Sequence, residues 1–137
     1  MAESSGASLL TLIQAAPSYF GKLYSTKAEW FLPVLKCTSI ILRENIANII
    51  SILLVENISD NILKFLNVLI SGLKEREGLA IGLDGVHGYL LSLGGALASC
   101  RDKLTAEYIL EPINLIINHF DHRVVLIRAA AAEGETP

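Results

Sequence analysis

The chain has 137 residues, of which 52% are hydrophobic and 18% charged, with a formal net charge of −3 and a mean hydropathy of +0.49. That length suits one domain with a real core, and so apolar a composition speaks against intrinsic disorder. Mild acidity without a basic cluster leaves no electrostatic footprint for nucleic acid or anionic lipid, while the small charged fraction leaves apolar surface for a partner.

Residues 1–6 are small and polar and read as a flexible N-terminus. A single helical domain over residues 7–132 is expected to follow, with residues 133–137 as a flexible tail. A short helix over residues 8–16 is ended by Pro17, whose ring cannot join a helix interior. Tyr19, Phe20 and Tyr24 come next and, with Trp30 and Phe31, form the aromatic cluster of the chain. Thr26 and Glu29 fit a capping box, so a helix is expected to start there or to re-form at Pro33.

Over residues 33–55, Val34, Cys37, Ile41, Ala47, Ile50 and Leu54 recur at helical spacings, and Ile40, Ile46, Ile49 and Leu53 widen the stripe until little of the girth is polar. One helix sandwiched between two others is predicted. Residues 56–59 form a break, and Ser59 or Asp60 can cap a helix that runs to Leu73. The charged stretch 74–77 reads as a turn. Residues 79–100 are helical in pattern but carry Gly82, Gly85, Gly88, Gly94 and Gly95, each costing up to about 1 kcal/mol against Ala. Such a set predicts close helix contacts, with a split at Gly94-Gly95. Thr105 then caps a helix to Phe120 that Pro112 kinks, residues 121–123 turn, and a last helix spans residues 124–132. No segment alternates with period two, so the fold class is all-α.

Ile62-Leu63, Asn67 and Ile70 recur as Ile109-Leu110, Asn114 and Ile117, 47 positions later, and the same offset pairs Arg76 with Arg123 and Leu79 with Leu126. Repeat-like units over about residues 59–104 and 105–132 follow, each a helix, a charged turn and a second helix opening with small residues. Two Leu- and Ile-rich helices also match by composition alone, so coincidence stands beside the repeat. Pro112, Asp121 and the pair Ile127-Arg128 before four alanines resemble the HEAT pattern, within the HEAT and armadillo class of α-solenoids. That resemblance implies stacked antiparallel helix pairs, with Asp121 and Arg128 bonding in ladders between repeats. The first unit departs from it, with Phe65, Lys74 and Ile81 at the matching positions. An irregular helical bundle is the other arrangement open to such helices. A solenoid needs about three units and capped ends. This chain is therefore expected to be a segment of a longer solenoid, or a subunit whose ends another chain covers.

The remaining chemistry is sparse. Cys37 and Cys100 read as reduced thiols of a cytoplasmic protein, and Asn57-Ile58-Ser59 matches a glycosylation sequon without a secretory signal to give it meaning. His119 and His122 are too few for a zinc site and read as a solvated turn. Asp84, His87 and Ser92 lie close in sequence but lack any nucleophile-turn motif, and the Gly-rich stretch lacks phosphate-loop spacing. Neither an enzyme nor a cofactor is expected. The leading expectation is a non-catalytic scaffold or adaptor that binds a protein partner or itself. Its candidate interface residues are Tyr19, Phe20, Tyr24, Trp30, Phe31, Val124 and Ile127, although the aromatic cluster reads first as core or cap and only second as an interface anchor. The alternative is a membrane-associated helical protein, using the uncharged runs 4–21 or 85–100.

Overall fold

The computed structural model describes Thr11, Gln14 and residues 25–74, 81–119 and 125–135. Every regular element among them is helical. A 3-10 helix, η1 (Ser25–Lys36), is followed by α1 (Ile40–Val55), α2 (Ser59–Lys74), α3 (Gly82–Ser99), a single 3-10 turn η2 (Arg101–Lys103), α4 (Ala106–Ile117) and α5 (Val125–Glu135).

The helix expected over residues 33–55 is two elements. Pro33 lies inside η1, which buries Ala28 and Leu35, and the chain then breaks over residues 37–39. Ser39 starts α1 afresh: its backbone is extended, and its hydroxyl accepts from the Leu42 amide at 3.2 Å. A side-chain cap of this kind satisfies one of the amides left free at a helix start, which apolar periodicity does not report. Ile41, assigned to the buried stripe, is exposed. At the other end of the chain, α5 continues to Glu135 rather than stopping at Ala132.

The predicted split at Gly94-Gly95 does not occur. Helix α3 runs unbroken, and two of its glycines, Gly88 and Gly95, meet neighbouring elements closely. A Cβ at Gly88 would lie 2.0 Å from the Leu35 carbonyl oxygen of η1, and one at Gly95 would lie 2.7 Å from the Ser51 hydroxyl of α1. Facing this helix, Gly72 of α2 leaves room for the Tyr89 ring, which a Cβ would approach to 2.5 Å. Packing gained at such short range offsets the intrinsic penalty of glycine in a helix.

As a result α3 touches every other described helix. Its most extensive partners are α1 and α5, and it also packs on η1, α2 and α4. Alongside, α2 meets α4, and α4 meets α5. One continuous core fills the spaces between, with Ile49, Leu53, Ile62, Leu69, Leu93 and Ala131 fully enclosed. Each such Leu or Ile contributes about 2 kcal/mol through removal of its side chain from water.

Segment joints are held by polar clamps. Lys103 in η2 donates to the carbonyls of Val55 and Asn57, covering the carbonyl end of α1 with a cation. Ser59, the first residue of α2, donates back to the Lys103 carbonyl at 2.9 Å. The amide of Asn57 donates to the Leu53 carbonyl at 3.2 Å and its side-chain oxygen accepts from Asn61, so the sequon asparagine is buried and engaged.

The glycine contacts make different substitutions separable. Gly88→Ala forces a methyl group into η1 backbone and is expected to cost at least about 3 kcal/mol of unfolding free energy. Gly82, at φ +74° with open space around its Cβ position, is expected to cost only about 1 kcal/mol as Gly82→Ala. Urea unfolding of both variants checks the order.

Candidate functional site

The groups with the most chemical potential meet where η1, α1 and α3 converge. Arg43, on the second turn of α1, is 1% exposed. Its Nη1 donates to the Cys37 carbonyl at 2.8 Å and pairs with Asp84 Oδ1 at 2.8 Å, tying the 37–39 break to the first turn of α3. Asp84 is half-exposed and sits where a helix N-terminus favours negative charge. One turn on, His87 is buried, and its Nδ1 has no hydrogen-bond partner among the described residues. Burial, reinforced by Arg43 and partly opposed by Asp84, lowers its pKa from 6.5 to about 4. His87 is therefore neutral at pH 7.

These groups do not form a catalytic constellation. The Asp84 carboxylate is held by Arg43, and the Ser92 hydroxyl is fully enclosed in the core. What the arrangement does is mechanical: a guanidinium with fixed geometry joins a backbone carbonyl on one segment to a carboxylate on another. Sequence reasoning missed Arg43, because a lone Arg among Ile and Leu reads as a surface residue. Elsewhere, burial also raises the pKa of the Cys100 thiol, against the opposing pull of Lys103. A thiol of that kind stays protonated and unreactive.

The predicted interface residues do not come together. Trp30 is 67% exposed on η1, and Phe31 beside it is half-buried against the core. Tyr19, Phe20, Tyr24, Asp121 and Val124 lie outside the described residues, as does His122. Ile127 is 1% exposed: α5 turns Ile127, Ala130 and Ala131 inward onto α3, so this side chain belongs to the core rather than to an open face. Arg128 is exposed on α5, and Pro112 is buried in α4. His119, expected in a solvated turn, is buried instead, and its Nδ1 donates to the Leu115 carbonyl at 2.8 Å.

The surface that sequence reasoning overlooked is the outer side of α4. This helix begins after Thr105, whose backbone is extended, and Pro112, Leu115 and Ile116 form its buried line. On another line of the same helix, Leu110 is 64% and Ile117 44% exposed, with Ile113 half-buried between them. A groove of about 320 Å³ runs along the α2 side of the helix, where Lys74 pairs with Glu111 across its edge. That exposed ion pair adds less than about 1 kcal/mol but marks which flank of α2 looks toward α4.

Among the described residues no group of His, Cys, Asp and Glu is arranged to hold a metal ion, and no helix is long and apolar enough to cross a membrane. The uncharged run 85–100 is the buried central helix, so its apolar side chains are spent on α1, α2 and α5 rather than offered to a bilayer. No family model matches the chain, and neither a curated protein nor a solved structure does.

The buried histidine predicts a specific acid response. With a folded pKa of about 4 against 6.5 unfolded, the unfolded chain binds the proton more readily. Stability is then full above about pH 6.5 and falls as the pH drops toward 4, by on the order of 3 kcal/mol. His87→Leu is expected to flatten that part of the stability profile, measured by urea unfolding between pH 7 and pH 4.

Proposed function

We propose that the chain is a non-catalytic protein–protein interaction module, a HEAT-like segment of stacked helix pairs serving as a cytoplasmic scaffold or adaptor within a larger complex. The observation that carries this reading is the order of helix contacts. Helix α1 lies on α3 and α3 on α5, while α2 lies on α4. This alternation of contacts supports the reading, because α-solenoids build an extended surface from helices that follow one another in two rows. Pairs at the 47-residue offset share their environment in the first helices: Phe65 and Pro112 are buried, as are Leu69 and Ile116, while Asn67 and Asn114 are exposed. In the second helices they diverge, since Leu83 and Asp84 are exposed where Ala130 and Ala131 are buried. The stack is accordingly irregular, with α3 carrying more neighbours than a uniform repeat gives one helix.

Two further features support an interaction role. Large apolar side chains stand in water at Ile58, Tyr108 and Leu110, Trp30 is 67% exposed, and such residues supply most of the energy of protein interfaces. The thiols of Cys37 and Cys100 are free, in keeping with a reducing compartment.

Trp30 is the anchor we assign to the partner. Affinity capture from cells that express the protein, followed by reconstitution of the captured protein with purified chain, tests this. Trp30→Ala, in a variant whose circular dichroism matches wild type, is expected to weaken binding at least tenfold, or about 1.4 kcal/mol. Unchanged affinity would remove Trp30 from the interface, and failure of any captured protein to bind in purified form would overturn the module.

A further inference from the structure

Helix η1 depends on its neighbours for its shape. It is 12 residues of 3-10 helix, whereas runs beyond about three or four residues are uncommon because the hydrogen bonds are poorly aligned. Pro33 lies inside it and has no amide proton to donate. What it rests on is chiefly α1 and α3. Residues 37–39 form a hinge, since Ser39 caps α1 from its own side and that helix start needs nothing from η1. Two attachments hold η1 close to the hinge. The Cys37 carbonyl accepts from Arg43 Nη1 at 2.8 Å, and the Leu35 backbone lies against Gly88. Beneath them, Arg43 Nε and His87 Nδ1 are both buried without a hydrogen-bond partner among the described residues. The end of η1 covers this corner, with Cys37 on the guanidinium and Leu35 on the residue after His87. Buried polar groups without partners favour any opening that admits water, so the seat of η1 carries its own counter-pull.

We infer that η1 is an acid-released strap: protonation of His87 undocks it about residues 37–39 while α1, α2 and α3 stay folded. The charges that act on His87 come from two elements, the Arg43 guanidinium on α1 and the Asp84 carboxylate on α3 itself. From η1, Lys36 is turned onto the Tyr89 ring, its Nζ 6.0 Å from the centroid, and brings no negative charge. An imidazolium in this corner is a second cation beside a guanidinium that is 1% exposed, and the Asp84 carboxylate must serve both. Withdrawal of the Cys37 end lets water reach the two cations. Burial and Arg43 hold the docked histidine at a pKa of about 4, against 6.5 for a solvated imidazole. The released form therefore takes the proton first, and falling pH favours release. The ratio of released to docked strap is expected to rise about twentyfold from pH 7 to pH 5 and about a hundredfold by pH 4. Release bares Leu35, fully enclosed when docked, together with the surface of α1 and α3 that it covers. It needs no partner, and so stands apart from the interaction-module reading.

Amide hydrogen exchange between pH 7 and pH 4, expressed as protection factors so that intrinsic exchange chemistry cancels, reads this ratio for Phe31, Leu32 and Val34 to Lys36. Protection over η1 is expected to fall about a hundredfold across that range, while α1 amides from Ile46 to Leu54 stay better protected than η1 at every pH. His87→Gln, which is neutral throughout, should hold η1 protection level. A second measurement on the wild-type chain keeps the test decisive should His87→Gln fail to fold. The fluorescence anisotropy of Trp30, the one tryptophan of the sequence, should drop at a higher pH than the far-UV ellipticity does. Protection over η1 that ignores pH overturns the strap, as does protection that falls to the same value as α1, which is global unfolding. An acid fall that persists in folded His87→Gln also overturns it, and so do coincident Trp30 and ellipticity transitions.

Discussion

The whole fold hangs on how closely α3 can approach its neighbours. At Gly88 the helix backbone meets the Leu35 carbonyl of η1 with no room for even a methyl group, and at Gly95 it meets the Ser51 hydroxyl in the same way. These contacts let one helix lie against η1, α1, α2, α4 and α5 together. A helix with side chains at those positions would stand further off, and the core would open between layers. The glycines that weaken α3 as an isolated helix are therefore what make it the centre of the molecule.

A fold this apolar needs polar groups to select one arrangement among many that bury similar area. Arg43 does so by bridging the Cys37 carbonyl and Asp84, which fixes the break before α1 against the start of α3. Lys103 does so at the other end of α1, where it reaches the Val55 carbonyl at the helix terminus and the Asn57 carbonyl just beyond it. Removing one partner from a buried charged contact costs far more than the contact contributes in place, so the bridge at buried Arg43 penalises alternative packings strongly, while exposed Lys103 acts as a cation over the carbonyl end of a helix. His87 adds a third constraint, as a neutral imidazole held beside a guanidinium.

The helices whose apolar residues follow a single period were legible from sequence. Helix α2 spans Ser59–Lys74, close to the stretch marked by Ser59 and Leu73, and α4 follows Thr105 as expected. What sequence could not carry were features decided by partners distant in the chain. The apolar stripe across residues 33–55 gave no sign of the break at 37–39, because that break is set by the Ser39 cap and the Arg43 bridge rather than by hydrophobicity. Gly94-Gly95 looked like a helix breaker since its compensating contacts lie on α1. Ile127 looked exposed because α5 seemed to end the stack, whereas its inward line is spent on α3; the open apolar line lies on α4 instead. Periodicity reports that a helix has an apolar face, and only the packed chain reports which face is left over.

The central claim is that α3 is the most enclosed element and that the rest of the chain is organised around it. Amide hydrogen exchange resolved by residue, under conditions where opening limits the rate, measures this directly. Amides of α3 from Val86 to Ala96 should exchange slowest, close to the rate of global unfolding, with α1 and α2 next and the outer turns of α4 and the C-terminal turns of α5 fastest. If α3 exchanged as quickly as α4, its enclosure by its neighbours would not hold and the account of the fold would be wrong.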